Sequence, residues 1–261
     1  MKPIMSRKNT TSFWCPGDTI ENYSPILKTG IPNKYTPTDI TYKFNEYGFR
    51  CDSFNLNSEL PIVFLGCSYT EGIGLPIDKV WSSLLLNKIR EKTNKEIPYW
   101  SLALGGKGIE NQVSILYDFV QIHSPKYVFC LFPPPGRRDY WVDSKEQVWI
   151  PNPIQHKNQP FVDKLFSDPD YIKHEDHRSV RTLSLIQQTI PESKIVATCW
   201  DKTLSKDTSI FYETLASFSN ITYFIFPDFR NQDLAKDNQH PGEDYHRIVA
   251  NIFWRQVLSL F

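Results

Sequence analysis

The sequence has no long run of charge of one sign, and its charges balance. Lys and Arg together number 29, as do Asp and Glu, so the formal net charge is zero at pH 7. Proteins that bind nucleic acid or an anionic membrane surface usually carry a basic patch or tail that attracts the phosphates. We therefore expect no nucleic-acid partner and no electrostatic attachment to a membrane.

Long apolar runs are also missing. No stretch approaches the roughly 20 apolar residues that are needed to cross a bilayer. The first eight residues, MKPIMSRK, lack the apolar core of a secretory signal. These absences predict a protein with no membrane span that is cytoplasmic by default, while export by another route stays open.

The five cysteines are an odd number without paired spacing, which argues against a disulfide framework and favours reduced thiols. A chain of 261 residues with 40% hydrophobic content can bury one large core, or one core with a small appendage.

From residue 61 onward, strand and helix patterns alternate, which is typical of a parallel sheet covered by helices on both faces. The predicted strands are 62–66, 98–104, 127–132, 194–199 and 221–226, and the predicted helices are 78–92, 109–123, 171–188, 209–218 and 242–260. Residues 133–160 are expected to form a long loop. The last helix is expected to bury Ile248, Ile252, Phe253 and Val257. The fold class predicted is α/β, a flavodoxin-like three-layer α/β/α sandwich with a five-stranded parallel sheet.

Residues 1–60 are punctuated by five prolines, at positions 3, 16, 25, 32 and 37, so long helices are not expected there. Residues 40–45 alternate like a strand. We interpret residues 1–60 as an irregular arm or a small β-rich appendage on a main domain of residues 61–261. The alternative is a loosely ordered tail over about the first 30 residues.

The main domain begins with residues 62–70, IVFLGCSYT, an apolar run that ends in Gly-x-Ser-x-Thr. Such a run is typical of a strand buried on both faces. Functional residues of open α/β sheets lie just beyond the carboxyl ends of the strands, which is the place of Ser68. On its own, this pattern also fits an ordinary turn that happens to contain a serine.

A second polar segment, Asp237 to His240, lies near the end of the chain. An Asp and a His three residues apart can meet across one turn, and they form the base-and-orienter pair that a serine nucleophile requires. Pro241, followed by Glu243 and Asp244, predicts a helix start, which would hold His240 at the rim of a helix.

Three segments resemble blocks I, II and V of the SGNH (GDSL-type) hydrolases, in that family's order. Residues 66–70 look like a Gly-Cys-Ser-x-Thr variant of block I, with Cys67 in place of the usual Asp. Residues 103–106 are similar to block II, and residues 237–241 carry the Asp-x-x-His of block V. The resemblance extends from about residue 60 to the C-terminus. It implies the SGNH fold and a catalytic triad of Ser68, Asp237 and His240.

The oxyanion hole departs from the family pattern. By resemblance, the backbone N–H groups of Ser68 and Gly106 donate to the oxyanion. The family's block III adds an asparagine amide after the third strand, but here that strand leads into residues 133–135, PPP, which have no N–H to donate. Arg137 is the predicted replacement donor, with Arg138 and the N–H of Gly136 as alternatives. A pair of solvated surface charges is the other interpretation.

Aromatic residues near the serine and in the long loop are candidates for substrate contact. Tyr69, Tyr140 and Trp141 are the tentative substrate-binding residues, either as a stacking wall for a sugar or as a pocket for an acyl chain. The loop aromatics fit a small satellite core equally well. Cys67 is an alternative nucleophile, although Ser68 matches block I better.

No metal site and no cofactor are expected. The run at residues 174–177, HEDH, is not His-Glu-x-x-His, and it favours a solvated loop or helix start over metal ligands. The SGNH resemblance likewise implies no metal or organic cofactor.

The function expected is that of a serine esterase that hydrolyses or transfers a short acyl group. The partner is then a small-molecule or glycan ester, and O-acetyl groups on a carbohydrate are favoured by the aromatic residues. The alternative is an SGNH scaffold without turnover that binds a glycan or a protein, which the missing block III asparagine favours.

Overall fold

The computed structural model describes residues 6–54, 60–135, 137–143, 146–150, 171–200, 210–226 and 233–261. All five cysteines lie in this part of the chain, and all are free thiols, as the sequence predicts. Among the described helices, none is long and apolar enough to cross a membrane.

A five-stranded parallel sheet forms the centre of the molecule. Its strands are β3 (Ile62–Gly66), β4 (Trp100–Ser101), β5 (Tyr127–Phe132), β8 (Lys194–Cys199) and β9 (Ile221–Tyr223). They lie in the order β4-β3-β5-β8-β9, and every neighbouring pair is parallel. Counted within the sheet, this is the flavodoxin-like order 2-1-3-4-5, in which the chain reverses its direction of winding between the first and third strands. The α/β fold class predicted from the sequence is confirmed.

Helices cover both faces of this sheet. They are α1 (Ser68–Glu71), α2 (Trp81–Thr93), α3 (Ile109–Val120), α4 (Tyr171–Thr189), α5 (Ile210–Ala216) and α6 (Glu243–Val257), and short 3₁₀ turns lie at Ile77–Lys79 and Leu258–Leu260. Successive side chains of a strand point to opposite faces of the sheet, so alternate strand residues pack into two separate hydrophobic cores, one on each face. Phe64 packs in the core with α2 and α6, whereas Val63 and Leu65 pack in the core with α3, α4 and α5.

The turn from β3 into α1 requires glycine at its first position. A Cβ at Gly66 would lie 1.9 Å from Thr70 Oγ1, well inside contact distance. Thr70 is fully buried, and its Oγ1 accepts a hydrogen bond from Trp81 Nε1 at 3.3 Å. Gly66 and Thr70 therefore fit together to form the sharp turn that presents Ser68.

Two expectations on the main domain are wrong. The segment predicted as a long loop contains an antiparallel hairpin of β6 (Arg138–Asp143) and β7 (Glu146–Ile150). In α6, Phe253 and Val257 are fully buried, as predicted, whereas Ile248 is 37% exposed and its neighbours Val249 and Ala250 are buried instead. The prediction for the buried face of α6 is therefore wrong in the first half of the helix, where two neighbouring registers both satisfy helical spacing.

The N-terminal arm has little regular structure, but it is packed against the main domain. Its strands β1 (Thr11–Ser12) and β2 (Tyr42–Lys43) pair antiparallel, and both lie in the first 44 residues. Ile40, Tyr42 and Phe44 are buried together with Ile73 of the main domain. One part of the arm's contact with the main domain is therefore apolar.

Candidate active site

Ser68 lies at the carboxyl end of β3, where it is the first residue of α1. β3 and β5 are neighbours in the sheet and are the strands between which the winding reverses. Sheets of this order bind their ligands in the crevice at this point. The short helix α1 ends at Gly72, which has a left-handed φ of 76°, so Ser68 is held on one tight turn.

Asp237 and His240 form a hydrogen-bonded pair. His240 Nδ1 and Asp237 Oδ2 are 2.5 Å apart, and Asp237 is fully buried. The other carboxylate oxygen, Oδ1, accepts the backbone N–H groups of Gln239 at 3.2 Å and His240 at 3.1 Å. The carboxylate is therefore fixed from two sides, and it directs the Nδ1 edge of the imidazole away from solvent.

The structure brings Ser68 and His240 into one cleft of about 810 Å³. The cleft is lined by residues of the three SGNH-like segments, by Arg137 and by residues of the arm and of other loops: Pro16, Gly17, Lys28, Ser68, Tyr69, Gly105, Gly106, Lys107, Arg137, Trp200, Leu234, Asn238, Gln239 and His240. Since His240 uses Nδ1 for Asp237, Nε2 is the ring nitrogen left for a group in the cleft. The three predicted triad residues are thus present at one site.

The Gly105–Gly106 turn forms another wall of this cleft. Gly106 has a φ of 81°, a backbone conformation that favours glycine. The N–H of Gly105 is already engaged, because it donates to Glu71 Oε2 at 2.7 Å. Glu71 was not predicted as a site residue. Its partners are distant along the chain, so no local motif announces it.

Arg137, the predicted oxyanion donor, lines the cleft beyond the end of β5. Its backbone N–H donates to the carbonyl of Pro134 at 3.0 Å, and its guanidinium lies 5.2 Å from the centre of the Trp200 ring. The two alternative donors, Gly136 and the side chain of Arg138, lie outside the described part of the structure.

Tyr69 and Trp200 form an aromatic wall in the cleft. Their ring centres are 4.7 Å apart in a stacked arrangement, and the Tyr69 ring is nearly perpendicular to the His240 ring, with the ring centres 5.9 Å apart. Burial raises the pKa of the Tyr69 hydroxyl to about 12, so this group remains a neutral hydrogen-bonding phenol. Trp200 was not predicted, because a single tryptophan directly after a strand carries no pattern. Tyr140 and Trp141 lie in β6, and their side chains fall outside the described residues.

Cys67 does not compete with Ser68 for the cleft. Its side chain is fully buried, and its Sγ lies 3.4 Å from Trp200 Nε1 and 4.0 Å from Ser68 Oγ. The thiol therefore packs behind the serine and against the aromatic wall.

The histidine-rich run at residues 174–177 lies within α4 and not in a loop. His177 is exposed, and the other three side chains are outside the described part. Among the residues that the structure describes, no group of three or more His, Cys, Asp or Glu is arranged to hold a metal ion.

No protein-family model matches the sequence, and no curated protein matches it either. Solved structures do match the fold. An acetyl xylan esterase, Est2A, from the rumen bacterium Butyrivibrio proteoclasticus matches with 11% identity and a TM-score of 0.50, over 80% of this chain and 67% of that one. A family 3 carbohydrate esterase of Clostridium thermocellum matches with 12% identity and a TM-score of 0.50, over 77% of this chain and 96% of that one.

A third similar structure is a two-domain esterase, CEX, that is active on acetylated mannans. It matches with 12% identity and a TM-score of 0.50, over 77% of this chain and 48% of that one, so this chain spans about half its length. At such low identity, the likeness defines the fold alone. The chain shares the three-layer α/β fold of these esterases.

Proposed function

We propose that the protein is a serine esterase that cleaves or transfers a short acyl group, with an acetylated carbohydrate as the substrate class. One observation carries this proposal: Ser68, on a strand-to-helix turn, and a histidine held by a buried carboxylate line the same cleft. A nucleophile, a base and a group that orients the base are the parts that acyl transfer through a covalent intermediate requires.

In the proposed reaction, Ser68 Oγ attacks the ester carbonyl and His240 Nε2 accepts the serine proton. Asp237 holds the remaining ring proton on Nδ1 and stabilises the imidazolium that forms. The imidazolium then gives its proton to the departing alcohol, which leaves an acyl group on Ser68. Water or a sugar hydroxyl, activated by the same histidine, releases the acyl group, so hydrolysis and transfer use the same residues.

The tetrahedral intermediate needs donors for its oxyanion. The N–H of Ser68 at the start of α1 and the N–H of Gly106 are the proposed backbone donors. The Gly105 N–H is bound to Glu71 and is not offered to a substrate. The guanidinium of Arg137 is the proposed third donor in place of an asparagine amide, because it has five N–H groups and a permanent charge.

The aromatic wall supports a carbohydrate as the alcohol part of the ester substrate. Tyr69 and Trp200 present ring surface beside His240, and apolar ring faces are suited to the C–H face of a sugar. The names of the structurally similar esterases, which refer to acetylated xylan and acetylated mannans, agree with this choice.

A second candidate function is binding without turnover. It is favoured by the end of β5, which leads directly into Pro133, Pro134 and Pro135, none of which has a backbone N–H. A scaffold with a weak oxyanion hole would still hold an acetylated glycan in the cleft.

Ester hydrolysis by site variants separates the two functions. We expect the wild type to hydrolyse 4-nitrophenyl acetate and an acetylated xylo-oligosaccharide. Ser68→Ala and His240→Ala should each lower turnover by about 10⁶-fold, and the double variant should be little worse, because the residues act as a unit. Ser114→Ala, which removes an exposed serine on α3, and His177→Ala, which removes an exposed histidine on α4, are the matched controls. Ester binding without hydrolysis by the wild type would favour the second candidate.

A further inference from the structure

Glu71 is a buried carboxylate that lies beneath the glycine turn of the active site. It is 2% exposed, and each of its two carboxylate oxygens has a different partner. Oε2 accepts the N–H of Gly105 at 2.7 Å, and Oε1 forms an ion pair with the guanidinium of Arg7. A buried carboxylate is costly unless it is paired and hydrogen-bonded, and both conditions are met here.

The position of Glu71 links the nucleophile to the oxyanion donors. Glu71 is the last residue of α1, the helix that begins with Ser68. The turn that it holds packs closely on both residues: a Cβ at Gly105 would lie 2.8 Å from Glu71 Oε2 and 3.7 Å from Ser68 Cβ. One carboxylate therefore fixes the distance between the serine and the turn that contains Gly106.

Arg7 supplies the countercharge from the N-terminal arm. Its side chain is 14% exposed, and its guanidinium carbon lies 4.1 Å from the centre of the Phe44 ring. The guanidinium is thus held on the arm's own apolar core. An ionised acceptor makes a hydrogen bond about twice as strong as a neutral one, so a charged Glu71 holds the Gly105 N–H more firmly.

We propose that Arg7 and Glu71 are positioning residues for the Gly105–Gly106 turn, so that a residue of the arm, Arg7, helps to form the active site. This inference rests on the proposed function. Neither residue exchanges a proton with the substrate. Their effect is on the placement of the Gly106 N–H relative to Ser68 Oγ, which changes the rate of the acyl-transfer step and not the affinity for the ester.

The first test is steady-state kinetics on 4-nitrophenyl acetate. Arg7→Ala and Glu71→Gln should each lower kcat by about 100-fold, the size expected when a donor moves by about 1 Å, with little change in KM. Arg7→Lys, which keeps the charge but not the planar fork, should recover part of the loss. Lys8→Ala is the matched control, because it removes an exposed positive charge one residue away and should leave kcat unchanged.

The second test observes the Gly105 amide proton by NMR. In the wild type we expect a downfield resonance that exchanges slowly with solvent, and in Arg7→Ala and Glu71→Gln an upfield shift with faster exchange. Circular dichroism at the assay temperature identifies the variants that remain folded. If Arg7→Ala does not fold, Arg7→Lys replaces it in both tests. Wild-type kcat in Arg7→Ala, or an unchanged Gly105 amide in a variant with lowered kcat, would overturn the inference alone. A wild-type protein without esterase activity would overturn the proposed function and the inference together.

Discussion

Two histidines near the end of the chain have contrasting environments. His240 lines the cleft and has Asp237 as its partner, whereas His246 lies in α6 and is 1% exposed. His246 Nδ1 accepts the backbone N–H of Trp81 at 3.1 Å, so a neutral ring is required there. Burial, followed by the nearby charges of His240 and Arg50, lowers the pKa of His246 to about 3. His246 is therefore a structural acceptor for the start of α2 and not a second base.

This environment predicts a loss of stability in mild acid. The folded pKa of His246 lies below the unfolded value of about 6.5, so its contribution is complete above pH 6.5 and declines as the pH falls towards 3. Between pH 7 and pH 5, His246 becomes protonated in the unfolded chain and stays neutral in the folded chain, which lowers the free energy of unfolding by about 2 kcal/mol. Urea unfolding of the wild type and of His246→Gln at both pH values measures this decrease. An equal pH dependence in the two proteins would show that His246 titrates normally.

The role of Arg137 as an oxyanion donor can be tested by substitution. If its guanidinium donates to the oxyanion, Arg137→Ala should lower turnover of 4-nitrophenyl acetate by about 10²- to 10³-fold with little change in KM. Arg138→Ala is the neighbouring comparison, which should keep near-wild-type turnover. Near-wild-type turnover in both variants would leave an oxyanion hole with two backbone donors, and a large loss only in Arg138→Ala would exchange their roles.

The residues of the site differ in how well they can be predicted from the sequence. Ser68, Asp237 and His240 stand in short segments whose spacing alone suggests chemistry. Glu71 and Trp200 gain their roles from partners that are distant along the chain, since Glu71 joins Arg7 to Gly105 and Trp200 stacks on Tyr69. Such contacts exist only after folding, so no local pattern predicts them.

Among the helices and strands, the sheet strands that are buried on both faces were predicted well, whereas the edge strand β4 and the hairpin β6–β7 were not. β5 and β8 match their predicted bounds because β5 is a continuous apolar run and β8 has an apolar centre that is buried on both faces. β4 is only two residues long, although the sequence predicts seven. The hairpin β6–β7 was predicted as a loop, because prolines border it at residues 133–135, 151 and 153 and its own residues do not form one regular period.

The aromatic wall at the end of β8 predicts a selective effect on sugar substrates. Trp200→Ala should raise KM for an acetylated xylo-oligosaccharide by up to about tenfold, which corresponds to the 0.5–1.5 kcal/mol of one stacking contact. KM for 4-nitrophenyl acetate should change less, and Trp200→Phe should restore most of the sugar affinity. Equal effects on both esters would mean that Trp200 shapes the site and does not contact the sugar.

For the whole molecule, the N-terminal arm is joined to the loop that carries the histidine by a buried ion pair. Lys236 Nζ lies 3.0 Å from Asp18 Oδ2, and both side chains are fully buried. The same oxygen accepts the hydroxyl of Tyr42 at 2.5 Å, and Lys236 Nζ also donates to the carbonyl of Phe13 at 3.1 Å. Burial raises the pKa of Asp18 despite these partners, so the pair's attraction does not fully offset its desolvation. Because Lys236 directly precedes Asp237, this polar network links the arm to the loop that carries Asp237 and His240.

Breaking this pair should destabilise the whole chain. Lys236→Met leaves Asp18 buried without its countercharge, which typically costs about 3–5 kcal/mol of the free energy of unfolding. The double variant Asp18→Leu with Lys236→Met should lose less than the sum of its two single variants. Lys34→Met is the control, because Lys34 forms an exposed ion pair with Glu243 that is worth about 0–1 kcal/mol. Urea denaturation measures each value, and additive single effects would contradict the coupling.

The arm is also where the sequence predicted least. Its division from the main domain at residue 60 remains a proposal, although its described residues pack on the loop that carries His240: a Cβ at Gly17 would lie 3.5 Å from His240 Cε1. Prolines and irregular spacing predict only that long helices are absent. The packing of the arm depends on single long-range contacts, for which the sequence has no periodic signal.

Covalent labelling tests the identity of the nucleophile most directly. After incubation with a fluorophosphonate probe, intact mass and peptide mapping should show one adduct, on Ser68. The adduct should persist in Cys67→Ala, form much more slowly in His240→Ala, and be absent in Ser68→Ala. A wild-type protein without an adduct, or an adduct that survives in Ser68→Ala, would contradict the assignment of Ser68 as the nucleophile.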